Sequence, residues 1–172
     1  MSEVDAAVDV LRAAGLPYTP PHVLVTRWIA LLAGDEHRYL DVAYESGAKV
    51  PGTRYTFLAV TDTTVCYLQA EHDDDSWEHD RVIFNPRAEN LTPRTVIAWR
   101  RPLAHIAAVS VEGDAQQWQP SPHGSGWSPS YVLKFCSDSD EIPLHSPHRS
   151  IPAPDPMPVI ARVTEAWRAG SS

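Results

Sequence analysis

At the start of the chain, hydrophobic residues recur every three or four positions, as they do along one face of a helix. This pattern predicts a first helix over residues 2–14. Ser2 and Asp5 have the spacing of a capping box, and Gly15 is the type of residue at which helices end. The chain is therefore expected to open with a short amphipathic helix.

A second helix is predicted over residues 21–33. Proline is tolerated in the first turn of a helix, which suits Pro21, and Gly34 suits its end. The segment carries so much apolar surface that we expect it to pack on a larger unit. Its apolar stripe consists of Leu24, Trp28, Leu31 and Leu32. Residues 1–33 are accordingly predicted to be a helical extension that packs on the rest of the chain.

After residue 38, apolar and polar residues alternate, which is typical of half-buried antiparallel strands. In the first such strand, Leu40, Val42 and Tyr44 alternate with Asp41, Ala43 and Glu45. Two apolar runs flank a Thr-Asp-Thr-Thr turn and predict a tight hairpin over residues 54–70. Further strands are predicted at 81–84, 94–100, 105–112, 130–136 and 141–145.

The last segment is predicted to be a helix that docks on the sheet. Asp155 is a suitable N-cap, and Pro156 suits the first helical position. The residues that share one face of this helix are Val159, Val163, Ala166 and Trp167. The predicted fold class is α+β and mainly β: two N-terminal helices, about seven antiparallel strands and one C-terminal capping helix.

This order of elements, together with particular residues, resembles the pleckstrin-homology-like domains of bacteria. The opening Gly34-Asp35-Glu36 is similar to the Gly-Glu that precedes the first strand of that family. The hairpin at 57–68, the strand at 102–111, the pair 131–135 with 142–144, and Trp167 resemble its later elements. The resemblance implies a bent antiparallel sheet or barrel over residues 34–170, closed at one corner by the helix.

Members of that family bind phosphoinositides, peptides or proteins, so the fold alone does not assign a function. The phosphoinositide-binding members use basic residues around the first hairpin. Here Lys49 and Arg54 stand in that region, but Thr56 occupies the place of the closing arginine. Lipid-headgroup binding is therefore an alternative hypothesis that rests on Lys49 and Arg54.

The composition restricts the classes of partner. The 172 residues carry a formal net charge of −8, which opposes nucleic acid or an anionic membrane as the main partner. An acidic N-terminus and the lack of a long apolar run predict a cytoplasmic protein. The excess of arginine over lysine suggests a bacterial source. Cys66 and Cys136 lie in apolar runs without a nearby cysteine and are predicted to be buried, reduced thiols.

The segment Glu-His-Asp-Asp-Asp-Ser-Trp-Glu-His-Asp at 71–80 contains the residue types of a metal site. A calcium loop requires a glycine, which is missing, and Trp77 occupies a ligand position. A solvated acidic loop is the favoured interpretation, and no cofactor is predicted. The alternative is a metal-dependent enzyme, with His145 or His148 brought near the loop. Its candidate ligands within the loop are His72, Asp73, Asp75 and His79.

No nucleophile elbow, P-loop or dinucleotide fingerprint occurs in the sequence. Three tryptophans in polar surroundings and two adjacent arginines remain as candidate ligand-binding residues. These residues are Trp77, Trp118, Trp127, Arg100 and Arg101. The tryptophans are interpreted either as anchors for a partner or as lids that fold back on the sheet. The sequence thus predicts a non-enzymatic interaction module that binds a protein partner or itself, and a homodimer is one form of the second.

Overall fold

The structure, a computed structural model, describes residues 2–47, 51–75, 77–78, 92–112, 130–136, 141–144 and 155–170. Two helices come first, α1 (Glu3–Ala13) and α2 (His22–Leu32). Four strands follow, β1 (Tyr39–Ser46), β2 (Thr53–Val60), β3 (Thr64–His72) and β4 (Thr95–Pro102). A 3-10 turn (Leu103–His105) leads into β5 (Ile106–Glu112), β6 (Ser130–Phe135), β7 (Glu141–Pro143) and the last helix, α3 (Met157–Gly170).

The strands form two antiparallel sheets, which confirms the predicted α+β class. β1 to β4 make the first sheet and β5 to β7 the second, each in chain order. The predicted hairpin joins β2 to β3 through a turn in which Thr61 N donates to Thr64 O at 2.9 Å. The strand predicted at 81–84 lies outside the described residues. Within the described ranges no strand pairs across the two sheets, so closure into a barrel stays a prediction.

The two N-terminal helices cover the outer face of the first sheet. Leu11 of α1 and Trp28 of α2 are buried in one cluster with residues of β1, β2 and β3. Trp28 meets Phe57 of β2 edge-on, with ring centroids 5.6 Å apart. Burying each large apolar side chain contributes about 1.5–3 kcal/mol, so this contact holds two helices that are too short to be stable alone.

A second core lies between the two sheets and α3. Val159 and Val163 of α3 are buried there against Leu133 of β6 and Val60 and Val65 of the first sheet. α3 therefore docks on the β-structure with the apolar face that the sequence predicts. No helix in the described part of the chain has both the length and the apolar character needed to cross a membrane.

The first strand differs from its prediction. Alternation predicts that one face of β1 is buried and that the other face meets solvent. In the structure Val42 is buried on the outer face, and Asp41 and Ala43 are buried on the inner face as well. The prediction of a half-buried strand is wrong because helices cover one side of β1 and the second sheet stands on the other.

The predicted capping residues set most helix ends. The Ser2 hydroxyl accepts from Asp5 N at 3.1 Å, and the Asp5 carboxylate accepts from Ser2 N at 2.8 Å. Asp155 Oδ1 accepts from the first backbone N–H of α3 at 3.0 Å. Helix α2 ends one residue early, since Ala33 already has a left-handed backbone (φ 52) and Gly34 follows it with φ 83.

The two cysteines are both free thiols in different environments. Cys66 is buried, as predicted, and its Sγ donates to Leu31 O at 3.4 Å. Burial raises the pKa of the Cys66 thiol. Cys136 is exposed, so the prediction of a buried thiol is wrong at this position. Strand β6 ends at Phe135, and Cys136 follows the last buried position of that strand.

Candidate functional site

A polar cavity of about 320 Å³ lies between the two sheets, on the inner face of β1, β2 and β3. Strand β7 supplies Ile142 and Pro143 to its lining. The polar residues that line it are Asp41, Glu45, Arg54, Thr56, Tyr67 and Gln69. The cavity thus has a polar wall on the first sheet and an apolar wall on the second.

The strand register explains why these polar side chains gather. Residues that pair directly on antiparallel strands point to the same face of the sheet. Arg54 pairs with Glu45 on one side and with Glu71 on the other. Two residues further along β2, Thr56 pairs with Gln69 in the same way. A continuous polar area therefore crosses three strands at one end of the inner face.

Arg54 contacts carboxylates on both neighbouring strands. Its Nη2 lies 2.7 Å from Glu71 Oε1, and its Nη1 lies 3.5 Å from Glu45 Oε2. Arg94 contacts the other Glu71 oxygen and Asp73, both at 2.9 Å. Hydrogen bonds from Arg94 and Arg54 hold the pKa of Glu71 below its usual range. Glu71 is thus an ionised carboxylate between two guanidinium groups.

Aromatic rings pack on the inner face beside the cavity. Tyr67 stacks on Trp99 with centroids 5.3 Å apart, and Trp99 meets Phe135 of the second sheet edge-on at 5.4 Å. The Arg101 guanidinium lies 4.4 Å from the Trp99 centroid and 5.0 Å from that of Phe135. Cation–π contacts of this kind stabilise packing. Arg101 therefore joins the two sheets.

The described part of the acidic segment after β3, residues 73–75 and 77–78, folds back on the outer face of the first sheet. Trp77 is only 2% exposed and stacks on His72, with centroids 4.8 Å apart. The Thr53 hydroxyl donates to Asp74 O at 2.6 Å and accepts from Trp77 N at 3.3 Å. Tyr55 Oη donates to Trp77 O at 3.0 Å. Trp77 is therefore not available as a surface anchor, and the alternative interpretation as a lid over the sheet agrees with its position.

The metal hypothesis gains no support from the part of the segment that the structure describes. Asp75 Oδ1 accepts from Gly52 N at 3.2 Å, and His72 Nδ1 accepts from Asp74 N at 3.0 Å. In the described ranges, no three His, Cys, Asp or Glu side chains are arranged to hold a metal ion. The other candidate ligands, His79, His145 and His148, lie outside those ranges.

Arg100 secures the C-terminal end of α2. Its Nη1 donates to the carbonyl oxygens of Leu31 and Leu32 at 3.3 and 3.2 Å, and its Nη2 pairs with Asp35 at 2.5 Å. A cation is favourable at this end of a helix, where carbonyl groups lack partners. Arg100 thus connects β4 to α2. The remaining candidates, Lys49, Trp118 and Trp127, lie outside the described residues.

Sequence reasoning identified Arg54 but missed the carboxylates that surround it. Asp41 and Glu45 were assigned to the solvent side of β1 by alternation. The sequence signal that could have shown these two carboxylates to be covered lies in a strand of the second sheet. β6 has apolar residues at Val132, Leu133 and Phe135, and these need a second sheet as a partner.

A second concave surface lies between the start of β5 and the end of α3. It has a volume of about 340 Å³ and is lined by Ala104, Ala107, Ala166, Trp167 and Gly170. Trp167 Nε1 donates to Ile106 O at 2.7 Å, which fixes α3 beside β5. We call this surface the β5–α3 groove. Its small side chains leave room for a side chain from outside.

Comparison with other proteins does not identify either site. No family model, curated protein or solved structure matches this chain. The two sites differ in chemistry, since the cavity carries charges of both signs and the groove is lined mainly by small apolar residues. They therefore suit different classes of ligand.

Proposed function

We propose that this chain is a non-enzymatic protein-interaction module of pleckstrin-homology-like fold. Four strands and then three strands in two antiparallel sheets, followed by a helix, support that fold. The partner binds as an extended segment that adds a strand to β5. The position of β5 at the edge of its sheet, beside the β5–α3 groove, carries this proposal.

The backbone of β5 has one side free to pair with a strand, as far as the described residues extend. The Tyr131 carbonyl on β6 accepts a hydrogen bond from Leu144 N, in the residue that follows β7, so Tyr131 faces β7. Successive residues face opposite sides, so Val132 faces β5 and pairs with Ser110. Val109 and Val111 on β5 then direct their amide groups away from β6. Edge strands of this kind are templates for strand addition.

The side chains next to this edge suit an extended peptide. Val111 of β5 is 57% exposed, and Trp167 of α3, which is bonded to Ile106 of the same strand, is also exposed. The groove is lined by Ala104 and Ala107, which leaves room for the side chain of an added strand. Backbone pairing provides affinity in this mode of recognition, and a pocket for alternate side chains provides selectivity.

The test uses the full chain as the target for a displayed library of random peptides. Selected peptides are titrated into the ¹⁵N-labelled protein, and we expect the largest shifts at the Val109 and Val111 amides. Val111→Pro removes one outward N–H without touching the bonds to β6, and proline is tolerated at such edges. It is expected to weaken binding by about tenfold or more, because one backbone hydrogen bond to the peptide is lost and the proline ring hinders the approach of the added strand.

Val111→Thr is the matched control, since it keeps the N–H and a β-branched side chain. Equal binding by the Val111→Pro variant, or shifts confined to other surfaces, would contradict the proposal. A dimer of the unmodified protein that Val111→Pro abolishes would identify a second copy of this chain as the occupant. Light scattering after size-exclusion chromatography separates that outcome from peptide binding.

A further inference from the structure

The inner face of the first sheet changes character along its length. At one end Tyr39, Val60 and Val65 are buried in the apolar core. At the other end the same face carries Arg54 and Thr56 and lines the polar cavity. An inner face that only packs against a second sheet would be apolar throughout. The polar end therefore needs a different explanation.

The charges on this polar wall are balanced within the protein. Arg54 lies 2.7 Å from Glu71 and 3.5 Å from Glu45. Arg94 holds the other Glu71 oxygen at 2.9 Å, and Asp41 also has an interaction partner within the protein. A ligand with a net charge would have to displace one of these partners or face a group of its own sign, and both are costly in partly buried surroundings. The wall therefore favours an uncharged ligand.

We propose that the cavity binds a small uncharged polyol, whose hydroxyl groups both donate and accept hydrogen bonds. Three side chains of the polar wall have donors to offer it. As far as the described residues extend, the Thr56 hydroxyl makes no hydrogen bond. Arg54 Nη1 makes only its 3.5 Å contact, which is longer than an ordinary N–H···O bond, and Gln69 uses one of its two N–H groups. Because Thr56 pairs with Gln69 and Arg54 lies two positions away on β2, these donors stand side by side.

Acceptors for the hydroxyl hydrogens stand on the neighbouring strand. Asp41 and Glu45 of β1 line the same cavity. A carboxylate offers about four acceptor sites, so an interaction within the protein does not use its whole capacity. A hydroxyl group that donates to one of these carboxylates and accepts from Thr56 or Arg54 serves both without changing any charge. A ligand rich in hydroxyl groups therefore matches both kinds of group on this wall.

The opposite wall suits the carbon skeleton of a sugar ring. Leu58 of β2 and Ile142 and Pro143 of β7 form the apolar part of the lining. A pyranose ring presents C–H groups on its faces and hydroxyl groups around its edge, so it can contact both walls at once. A volume of about 320 Å³ is at the low end for ligand pockets, which favours one sugar residue over a longer chain. The ligand class is therefore a monosaccharide or a polyol of similar size.

Sugars of one ring configuration and different charge test this chemistry. The ¹⁵N-labelled full chain is titrated with D-glucose, D-galactose and D-mannose. We expect at least one of them to shift the amides of Ala43, Thr56 and Gln69, with a Kd on the order of 1–10 mM. The uronate and the protonated amino sugar of the same configuration are the anionic and cationic controls, and cyclohexanol is the control with a single hydroxyl. Each control is expected to bind at least about tenfold more weakly, because it brings a charge or lacks hydroxyl groups.

This chemistry has two sources, a free monosaccharide or the end residue of a glycan. The methyl glycoside of the same sugar separates them, because its anomeric hydroxyl is substituted as it is within a glycan. Binding of the free sugar alone identifies a free monosaccharide, and equal binding of the glycoside identifies a site open to a glycan end. Either result supports the polyol site.

Two variants test the site in independent ways. Thr56→Val keeps the shape and every charge but removes a hydroxyl, and it is expected to weaken sugar binding about fivefold. Ala43→Leu fills the cavity and is expected to abolish binding. Thr26→Val is the matched control, because it removes an exposed hydroxyl from α2, away from the cavity. The melting temperature of each variant establishes that it is folded.

The proposal is overturned if the uronate, the amino sugar or cyclohexanol binds as well as the uncharged sugar, or if no sugar binds at about 100 mM. It is also overturned if Thr56→Val binds as well as the unmodified protein, or if Thr26→Val weakens binding as much as Thr56→Val. None of these outcomes depends on strand addition at β5.

Discussion

Trp167 of α3 donates its indole N–H to the backbone carbonyl of Ile106 on β5, at 2.7 Å. The bond joins residues 61 positions apart in the chain and places the last turns of α3 beside the edge of the second sheet. Ile106 itself is buried in the core between the sheets. The groove proposed for a partner strand therefore depends on this contact for its shape.

Trp167→Phe is expected to lower the free energy of unfolding by about 1 kcal/mol, because it removes this hydrogen bond and keeps an aromatic ring. Urea denaturation followed by circular dichroism measures the change. Met157→Ala, at an exposed position of the same helix, is expected to change stability by less than about 0.5 kcal/mol. Equal effects of the two variants would show that the hydrogen bond of the indole N–H contributes nothing to the free energy of unfolding.

Gly52 stands where β2 begins, under the backbone of the acidic segment. A Cβ at this position would clash with the carbonyl oxygen of His72, and the φ of Gly52 is +80. Gly52→Ala therefore combines a backbone clash with left-handed strain, and we expect a loss of about 3 kcal/mol in unfolding free energy. Chemical denaturation measures this loss.

Gly47→Ala is the matched control for Gly52→Ala. Gly47 has φ +70, but nothing lies within 4 Å of its built Cβ. The left-handed backbone alone costs about 1 kcal/mol for a residue with a side chain. A Gly52→Ala variant no less stable than Gly47→Ala would show that the backbone of His72 and Asp73 does not lie where the structure places it.

Thr53 holds the acidic segment through its hydroxyl. The residue is fully buried, and its Oγ1 contacts both Asp74 O and Trp77 N. Thr53→Val keeps the shape but leaves both backbone groups without this partner, so we expect a loss of about 1–3 kcal/mol. Thr26→Val, which removes the bond of an exposed hydroxyl to His22 O, should cost much less. Urea denaturation followed by circular dichroism measures both losses.

The elements of this fold were readable from the sequence because their signals are local. The Ser2–Asp5 capping box, the Asp155 cap and the hairpin turn at 61–64 each depend on residues within four positions of one another. Local hydrogen bonds of this kind are set by residue type and spacing. The seven strands of the described residues and the three helices follow from such signals.

The candidate cavity was not readable in the same way, because its residues meet through sheet stacking. Asp41 and Glu45 look like solvent-facing positions until a second sheet is known to lie over them. Trp77 looked exposed among acidic neighbours, yet its position depends on Thr53 and Tyr55, more than 20 residues away. The alternation of apolar and polar residues along one strand distinguishes its two faces, but it does not show what covers each face.

The ion pairs of Glu71 make stability depend on pH. Hydrogen bonds from Arg94 and Arg54 lower the pKa of Glu71 from 4.5, its value in an unfolded chain. A lowered folded-state pKa contributes stability that is present above about pH 4.5 and is lost as the pH falls through the folded-state pKa. We expect Glu71→Gln to be less stable than the unmodified protein at pH 7 and the difference to shrink toward pH 3. Urea midpoints at pH 3, 4, 5 and 7 measure it. A difference that stays constant over this range would exclude the ion pairs as its source.

The two thiols should react with a disulfide reagent at very different rates. Cys136 is exposed, whereas Cys66 is buried with its Sγ donating to Leu31 O, and burial raises the pKa of the Cys66 thiol. The thiolate is the reactive form, so both burial and the raised pKa slow Cys66. One equivalent of thionitrobenzoate is expected to be released quickly from the native protein, and the second only in denaturant.

Cys136→Ser should remove the fast phase, and Cys66→Ser should leave it unchanged. A fast phase that survives in Cys136→Ser would place Cys66 at the surface and contradict the packing of α2 on the first sheet.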